Sequence, residues 1–188
     1  PANGRGYILS SQDDTIAIFD FASGAKINFV EIGNSMGFFR CRPDGRKGYG
    51  SINARQSVAV VDLSKGAEKT IKHIKLPSAP YYLAFNADGT HLYAGSRDRS
   101  EVYVIDTATD EFIWTYKLNN PYAMLRITAE LIAISSDENY LYMVPQYPVL
   151  IIYKITKDDA VDNTSWLDAV QTQEFVKAPS RLEVIRPD

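Results

Sequence analysis

The feature of the sequence that most limits its fold is a repeat with a period of 42 to 44 residues. An apolar segment ending in Asp recurs at residues 16–20, 58–62 and 102–106, and a less regular fourth copy ends at Lys154. A tyrosine precedes each copy, and these tyrosines are Tyr7, Tyr49, Tyr93 and Tyr142. Two markers with one period predict several copies of a single structural unit.

Turn-forming dipeptides divide each unit further. They are Asn3-Gly4, Asp44-Gly45, Asp88-Gly89 and the altered pair Asp137-Glu138. Such pairs supply the positive φ angles of tight hairpins, so each unit is predicted to hold four short antiparallel strands. In the third unit these strands are predicted at 82–85, 92–95, 102–105 and 112–117. The third strand of each unit is apolar at consecutive positions, which predicts cover on both of its faces.

This pattern predicts an all-β fold, a β-propeller built from four-stranded antiparallel blades. Residues 80–93, followed by 102–109, resemble the YVTN-type β-propeller repeat, whose superfamily includes the quinoprotein amine dehydrogenase propellers. The pattern is less similar to WD repeats, because no Gly-His pair opens a unit. The resemblance implies a ring of about seven blades, of which about four are present here. The alternative is a complete four-bladed ring closed by the strand at 182–186.

The predicted organisation is one β-propeller domain or segment over residues 1–188. Its units are expected at roughly 1–35, 36–79, 80–122 and 123–180, with the first strand of a next unit at 181–188. The fourth unit has a longer connection between its third and fourth strands. Within that connection, residues 165–170 are predicted to form one helical turn capped by Thr164 or Ser165. Trp166 is predicted to cover the rim of the blade, and a partner contact is the alternative.

Composition excludes several classes of partner. The chain carries 20 basic and 23 acidic residues, for a net charge of −3, so a nucleic-acid partner is not expected. No apolar run approaches the roughly 20 residues of a membrane-spanning helix, so no membrane span is predicted. The single cysteine, Cys41, cannot form an intrachain disulfide, and its place in a predicted inner strand favours burial over reactivity.

The candidate binding surface lies on loops. In propellers, ligands bind near the central channel, at the loops that join the fourth strand to the next first strand and the second strand to the third. On those loops, Arg55, Arg97 and Arg99 with Tyr81 and Tyr122 are predicted to form a basic surface bordered by aromatic rings. Such a surface suits a carboxylate, a phosphate or a partner loop. The alternative is solvated loop charges that pair locally.

No catalytic residue, metal ligand or cofactor site is predicted. His73 and His91 stand on different strands without ligand spacing. Asp20, Asp62 and Asp106 end the third strand in three of the four units, where a carboxylate accepts N–H groups of the following turn, so their predicted role is structural.

The predicted function is a non-catalytic binding or interaction scaffold. Its expected partner is a protein or a small anionic ligand at the channel-side loops, and open blade faces offer a second route to association. The resemblance favours an extracytoplasmic location, whether periplasmic, secreted or surface-attached. The alternative is an enzyme or enzyme subunit of the quinoprotein amine dehydrogenase or propeller hydrolase kind, with its catalytic groups outside these units. Enzyme status is left open, and the residues favour a non-enzyme.

Overall fold

The computed structural model describes residues 3–10, 12–33, 35–119, 131–145, 149–155, 164–167 and 169–174. Strands and turns make up this part of the chain. The first seven strands are β1 (Arg5–Ser10), β2 (Thr15–Asp20), β3 (Lys26–Glu31), β4 (Met36–Cys41), β5 (Lys47–Ile52), β6 (Ser57–Asp62) and β7 (Lys69–Lys75). The others are β8 (Pro80–Phe85), β9 (His91–Ser96), β10 (Glu101–Asp106), β11 (Glu111–Leu118), β12 (Leu131–Ile134), β13 (Tyr140–Val144), β14 (Val149–Lys154), β15 (Thr164–Leu167) and β16 (Ala169–Glu174).

The strands form four sheets that follow the chain. The first sheet has the order β1-β2-β3, the second β4-β5-β6-β7, the third β15-β11-β10-β9-β8 and the fourth β12-β13-β14-β16. Successive strands pair as antiparallel hairpins, whereas β15 pairs parallel to β11. The four strands predicted for the third unit are confirmed, since each lies inside one of the strands β8 to β11.

Two compact units divide the chain, residues 1–83 and 84–188. The prediction of a single domain therefore stays a prediction. In the first unit, apolar residues of the first two sheets form one buried cluster. Its members are Ile16, Ile18, Val30, Ile32, Met36, Ile52, Ala59, Val61 and Leu63. Burying one such aliphatic side chain stabilises the fold by about 1.5–3 kcal/mol, so this cluster contributes substantially to the stability of the first unit.

The third strand of each blade contributes buried residues to the core, although to different extents. In the first unit, the first five residues of β6 are buried. In the second unit, the four residues between Glu101 and Asp106 of β10 are buried, and Ile151 and Tyr153 of β14 are fully covered. β6 and β10 are thus covered on both faces, as their consecutive apolar residues predict. In β2 and β14, buried and half-buried residues alternate, so the predicted cover on both faces is wrong for these two strands.

The turn before the second strand of each blade has one repeated geometry. In the three-stranded first sheet, β1, β2 and β3 correspond to the second, third and fourth strands of the other blades. The turn's second marker residue has positive φ in all four copies, namely Gly4 (68°), Gly45 (70°), Gly89 (74°) and Glu138 (58°). The side chain before it accepts the N–H two residues further on, as when Asp44 Oδ1 accepts from Arg46 at 3.0 Å and Asp88 Oδ1 from Thr90 at 2.9 Å. The turns predicted from the Asn-Gly and Asp-Gly pairs are confirmed.

The aspartates at the end of the third strands act in the next turn. Asp20 Oδ1 and Asp62 Oδ1 each accept a backbone N–H at 2.8 Å, from Ser23 and Ser64 respectively. Asp106 Oδ1 accepts from Ala108 and Thr109 at 2.8 and 2.9 Å. Hydrogen bonds from Ser23, Ser64 and Thr109 hold the pKa of these carboxyls below its usual value. Their predicted structural role is confirmed.

The predicted helical turn at 165–170 is wrong. Residues 164–167 form β15, which adds a fifth strand to the third sheet in the register Thr115 with Thr164 through Leu118 with Leu167. The N–H of Asn119 continues the pairing with the Leu167 carbonyl at 2.9 Å. The reason is tertiary, because the edge of β11 offers backbone partners that a single helical turn cannot supply. The side chain of Trp166 and the strand proposed at 182–186 lie outside the described residues.

Candidate functional site

Arg55 stands on the turn that joins β5 to β6. The Gln56 N–H donates to the Asn53 carbonyl at 3.1 Å, and the Asn53 N–H donates to the Ser35 carbonyl at 3.0 Å. Lys75 Nζ donates to the Arg55 carbonyl at 2.7 Å. The backbone of this turn is thus bonded at three points, while the Arg55 side chain is exposed. Its charge, added to the larger effect of burial, holds the pKa of His73 below its usual value.

Arg97 and Arg99 share the corresponding turn of the second unit, between β9 and β10. The hydroxyl of Ser96, a fully buried residue, accepts the N–H groups of Asp98 and Arg99 at 3.2 and 3.1 Å. Both arginines are exposed. The buried serine thus fixes the backbone of the turn that carries both guanidinium groups.

The ion partner of Arg99 was not foreseen from the sequence. Arg99 Nη1 lies 3.7 Å from Glu101 Oε2, and the two side chains are 55% and 13% exposed. The same Glu101 oxygen accepts the hydroxyl of Tyr103 at 2.7 Å. Arg99 in the turn and Glu101 at the start of β10 are only two positions apart in the sequence. That spacing was the available signal.

Tyr81 lies in β8 within the first unit and is half-buried. Its ring meets the ring of Phe38 edge-on with centroids 5.0 Å apart, and its carbonyl accepts the Ser51 hydroxyl at 2.7 Å. A Cβ atom added to Gly37 would approach the Tyr81 ring to 3.2 Å and Asn53 Nδ2 to 3.5 Å. Tyr81 therefore lies beside the turn that carries Arg55.

The residues of the predicted surface belong to both compact units. Tyr81 and the Arg55 turn are neighbours in the first unit. Arg97 and Arg99 lie together on one turn of the second unit. Tyr122 lies outside the described residues. The combined five-residue surface stays a prediction.

A groove of about 520 Å³ opens at the other end of the strands in the first unit. Its lining includes Arg5, Arg40 and Arg42, with the exposed ring of Phe21. The three guanidinium groups have intramolecular contacts. Arg5 pairs with Glu68, Arg40 donates to the Tyr82 hydroxyl at 2.6 Å and the Leu83 carbonyl at 3.2 Å, and Arg42 lies 3.6 Å from Asp44. These arginines already have structural roles.

Cys41 also lines this groove. Burial is the main cause that raises the pKa of its thiol to about 12, so the thiolate is scarce at neutral pH. The prediction of an unreactive cysteine agrees with this environment.

His91 and three acids of the second unit surround another depression. Asp88, Asp137 and Glu138 line it, and His91 Nδ1 lies 3.8 Å from Glu138 Oε1. Asn86 also donates to Glu138. Within the described part of the chain, no group of three or more His, Cys, Asp or Glu residues has the geometry to hold a metal ion.

The described part of the chain also contains no helix that is long and apolar enough to cross a membrane.

Comparisons with known proteins define the fold. No family model and no curated protein matches the chain. Among solved structures, hydrazine synthase of Kuenenia stuttgartiensis superposes with a TM-score of 0.73 at 18% identity, covering 93% of this chain and 47% of that one. The β-propeller domain of Cps50 (Swd1) of Myceliophteria thermophila gives a TM-score of 0.65 at 18% identity, covering 88% of this chain and 55% of that one.

The chain is therefore all-β and consists of β-propeller blades, as predicted. It spans about half the length of the solved chains that it matches. At this level of identity the likeness concerns the fold alone, and a propeller fold serves many functions.

Proposed function

We propose that the protein is a non-catalytic binding scaffold that holds a carboxylate-bearing segment of a partner protein. The turns that join the second and third strands of its blades would make the contact. The proposal is carried by one observation, the two exposed arginines on the Ser96-anchored turn between β9 and β10. Membership of the YVTN-type family and an extracytoplasmic location remain parts of this proposal that rest on the repeat residues.

The chemistry of these turns suits a carboxylate. A guanidinium group has five N–H donors in a fixed planar arrangement, which matches a carboxylate in a two-bond contact. The ion pair of Arg99 with Glu101, at 3.7 Å, leaves the Arg99 side chain 55% exposed, so donors remain directed to solvent. Because the turn backbone is already ordered, binding costs little additional conformational entropy. The Arg55 turn beside Tyr81 offers a second contact of the same kind.

A labelled hexaglutamate peptide is the probe that tests this proposal. We expect it to bind the wild-type chain at low salt, as measured by fluorescence anisotropy, and to dissociate as salt screens the contact. The double variant Arg97→Glu and Arg99→Glu should weaken binding by ~tenfold or more, and Arg55→Glu by a smaller factor.

Arg46→Glu is the matched control. Arg46 is also exposed but lies on the turn between β4 and β5, at the other end of the strands. Arg46→Glu makes the same charge change as Arg55→Glu and half that of the double variant, and binding should stay near the wild-type level. Equal losses in the control and the test variants, or no binding by the wild type, would contradict the proposed surface.

The second candidate is an enzyme or an enzyme subunit. The propeller fold that this chain shares with hydrazine synthase, over 93% of its length, is compatible with this candidate. A thermal unfolding series with divalent metals and redox cofactors separates the two candidates, since a specific ligand stabilises the native state by mass action. Stabilisation well above ~1 kcal/mol by one of these ligands would favour the enzyme and contradict the scaffold.

A further inference from the structure

One face of the first sheet is apolar and exposed. Ile8 of β1 pairs with Ala17 of β2, which pairs with Phe29 of β3, so the three side chains form a row across the sheet. Ile8 is 59% exposed and Phe29 55%, and Phe21, just after β2, is 81% exposed. Exposed apolar surface of this kind marks an interaction site. We call the face formed by Ile8, Ala17, Phe19, Phe21 and Phe29 the open face.

The repeat shows what kind of surface covers such a face. The second sheet has residues at the same sequence positions relative to its strand-end aspartate, Asp62, as the first sheet has relative to Asp20. Three before, one before and one after the aspartate stand Ala59, Val61 and Leu63 in the second sheet, and Ala17, Phe19 and Phe21 in the first. These three residues of the second sheet are at most 2% exposed. They are buried in one cluster with the first sheet's aliphatic residues, which are Ile16, Ile18, Val30 and Ile32. The open face is therefore the counterpart of a face that a neighbouring blade covers.

The fourth sheet carries the matching set of residues. Counted back from Lys154, Leu150 and Ile152 hold the positions of Ile16 and Ile18. Both are half-buried, and Tyr140, at the start of β13 and opposite Lys154, is 36% exposed. The covering face that the repeat requires is thus present in this chain and is incompletely buried there.

We propose that the open face of the first sheet binds the fourth sheet of a second copy of this chain, head to tail. The contact would continue the packing already seen between the first and second sheets, with aliphatic side chains of one blade against the open face of the next. It would remove two apolar surfaces from water at once. With a net charge of −3 on each copy, electrostatic repulsion is small. None of the arginines of the proposed scaffold surface takes part, so the two proposals fail independently.

Sedimentation velocity of the full chain over a concentration series tests the contact. The wild type should associate as its concentration rises. Phe29→Glu places a charge in the centre of the open face and should weaken association by ~tenfold or more. Ile71→Glu is the matched control, because Ile71 is 46% exposed on β7 of the second sheet, outside the open face. Phe21→Glu is the second test variant, since a side chain 81% exposed contributes little to folding.

The head-to-tail arrangement has its own test. Tyr140→Glu on the fourth sheet should also prevent association, whereas a mixture of Phe29→Glu and Tyr140→Glu should associate through one intact contact. A wild type that stays monomeric at every concentration would overturn the proposal. So would test variants that associate as well as the control, or a mixture that behaves as its separate components do.

Discussion

The ion pair between Arg5 and Glu68 joins the first two sheets. Arg5 lies on β1, Glu68 precedes β7, and their side chains are 8% and 3% exposed with Nη1 and Oε1 2.7 Å apart. Arg5 Nη1 also donates to the Leu63 carbonyl at 3.1 Å. Glu68→Gln keeps the shape of the side chain but leaves the guanidinium buried without a counter-charge. Breaking a buried pair in this way costs 3–5 kcal/mol, and the remaining bond to Leu63 places the expected loss at about 3 kcal/mol.

Urea denaturation followed by far-ultraviolet circular dichroism measures this loss. The double variant Arg5→Met with Glu68→Leu removes both charges and keeps similar volumes, so its free energy of unfolding should fall within about 1 kcal/mol of the wild type. A loss below about 1 kcal/mol for Glu68→Gln would refute the reasoning. The reasoning would also be refuted if the double variant lost as much stability as Arg5→Met and Glu68→Leu lose together when measured separately, because the cost would then come from lost packing.

The same pair predicts a dependence on pH. Burial opposes ionisation of Glu68, but hydrogen bonds from its own N–H, from Gly66 and from Arg5 outweigh it, so the pKa of Glu68 lies below its usual value. A lowered carboxyl pKa gives stability that is complete above the unfolded value of about 4.3 and is lost as pH falls through the folded value. From neutral pH down to the unfolded pKa of about 4.3, the difference in free energy of unfolding between wild type and Glu68→Gln should therefore stay constant. As the pH falls further, through the folded pKa of Glu68, this difference should shrink.

Three further predictions concern other parts of the fold. Asp106→Ala removes the acceptor of the Ala108 and Thr109 N–H groups and should cost about 1 kcal/mol in urea denaturation; an unchanged midpoint would contradict the turn role. Leu167→Ala, at a residue 1% exposed in β15, should cost about 2–5 kcal/mol, whereas a solvent-exposed connection would tolerate it. Cys41 should react with a thiol reagent far more slowly at neutral pH than in urea, and equal rates would contradict its half-buried, protonated state.

Sequence reasoning succeeded where the structure is set by local chemistry. Asp88-Gly89 is a turn because glycine adopts positive φ and the aspartate side chain accepts a nearby N–H, and both properties belong to the residues themselves. The third strands could be predicted from their uninterrupted apolar runs, and β6 and β10 have the two-sided cover that such runs favour. Repetition of these features made the blades recognisable.

The same reasoning failed where a distant segment decides the outcome. Residues 164–167 contain Ser and Thr followed by Trp and Leu, a pattern that suits a capped turn in isolation. The edge of β11 pairs with them instead, and no local property reveals that edge. The partner of Arg5 was hidden for the same reason, since Glu68 is 63 residues away in the chain.

The candidate site likewise has features that the local sequence predicts and features that depend on distant segments. The sequence placed Arg55, Arg97 and Arg99 on turns between second and third strands, and the structure has them there. The buried hydroxyl of Ser96 and the proximity of Glu101 to Arg99 depend on the course of the strands in space. They could be assigned only once the sheets were known.

The central claim is that successive sheets of the first unit pack face to face as blades. Methyl nuclear Overhauser contacts between Ile16 or Ile18 of the first sheet and Val61 or Leu63 of the second measure this packing directly. The buried cluster predicts strong contacts between the two sets. Their absence, in a chain whose strands are otherwise intact, would contradict the account.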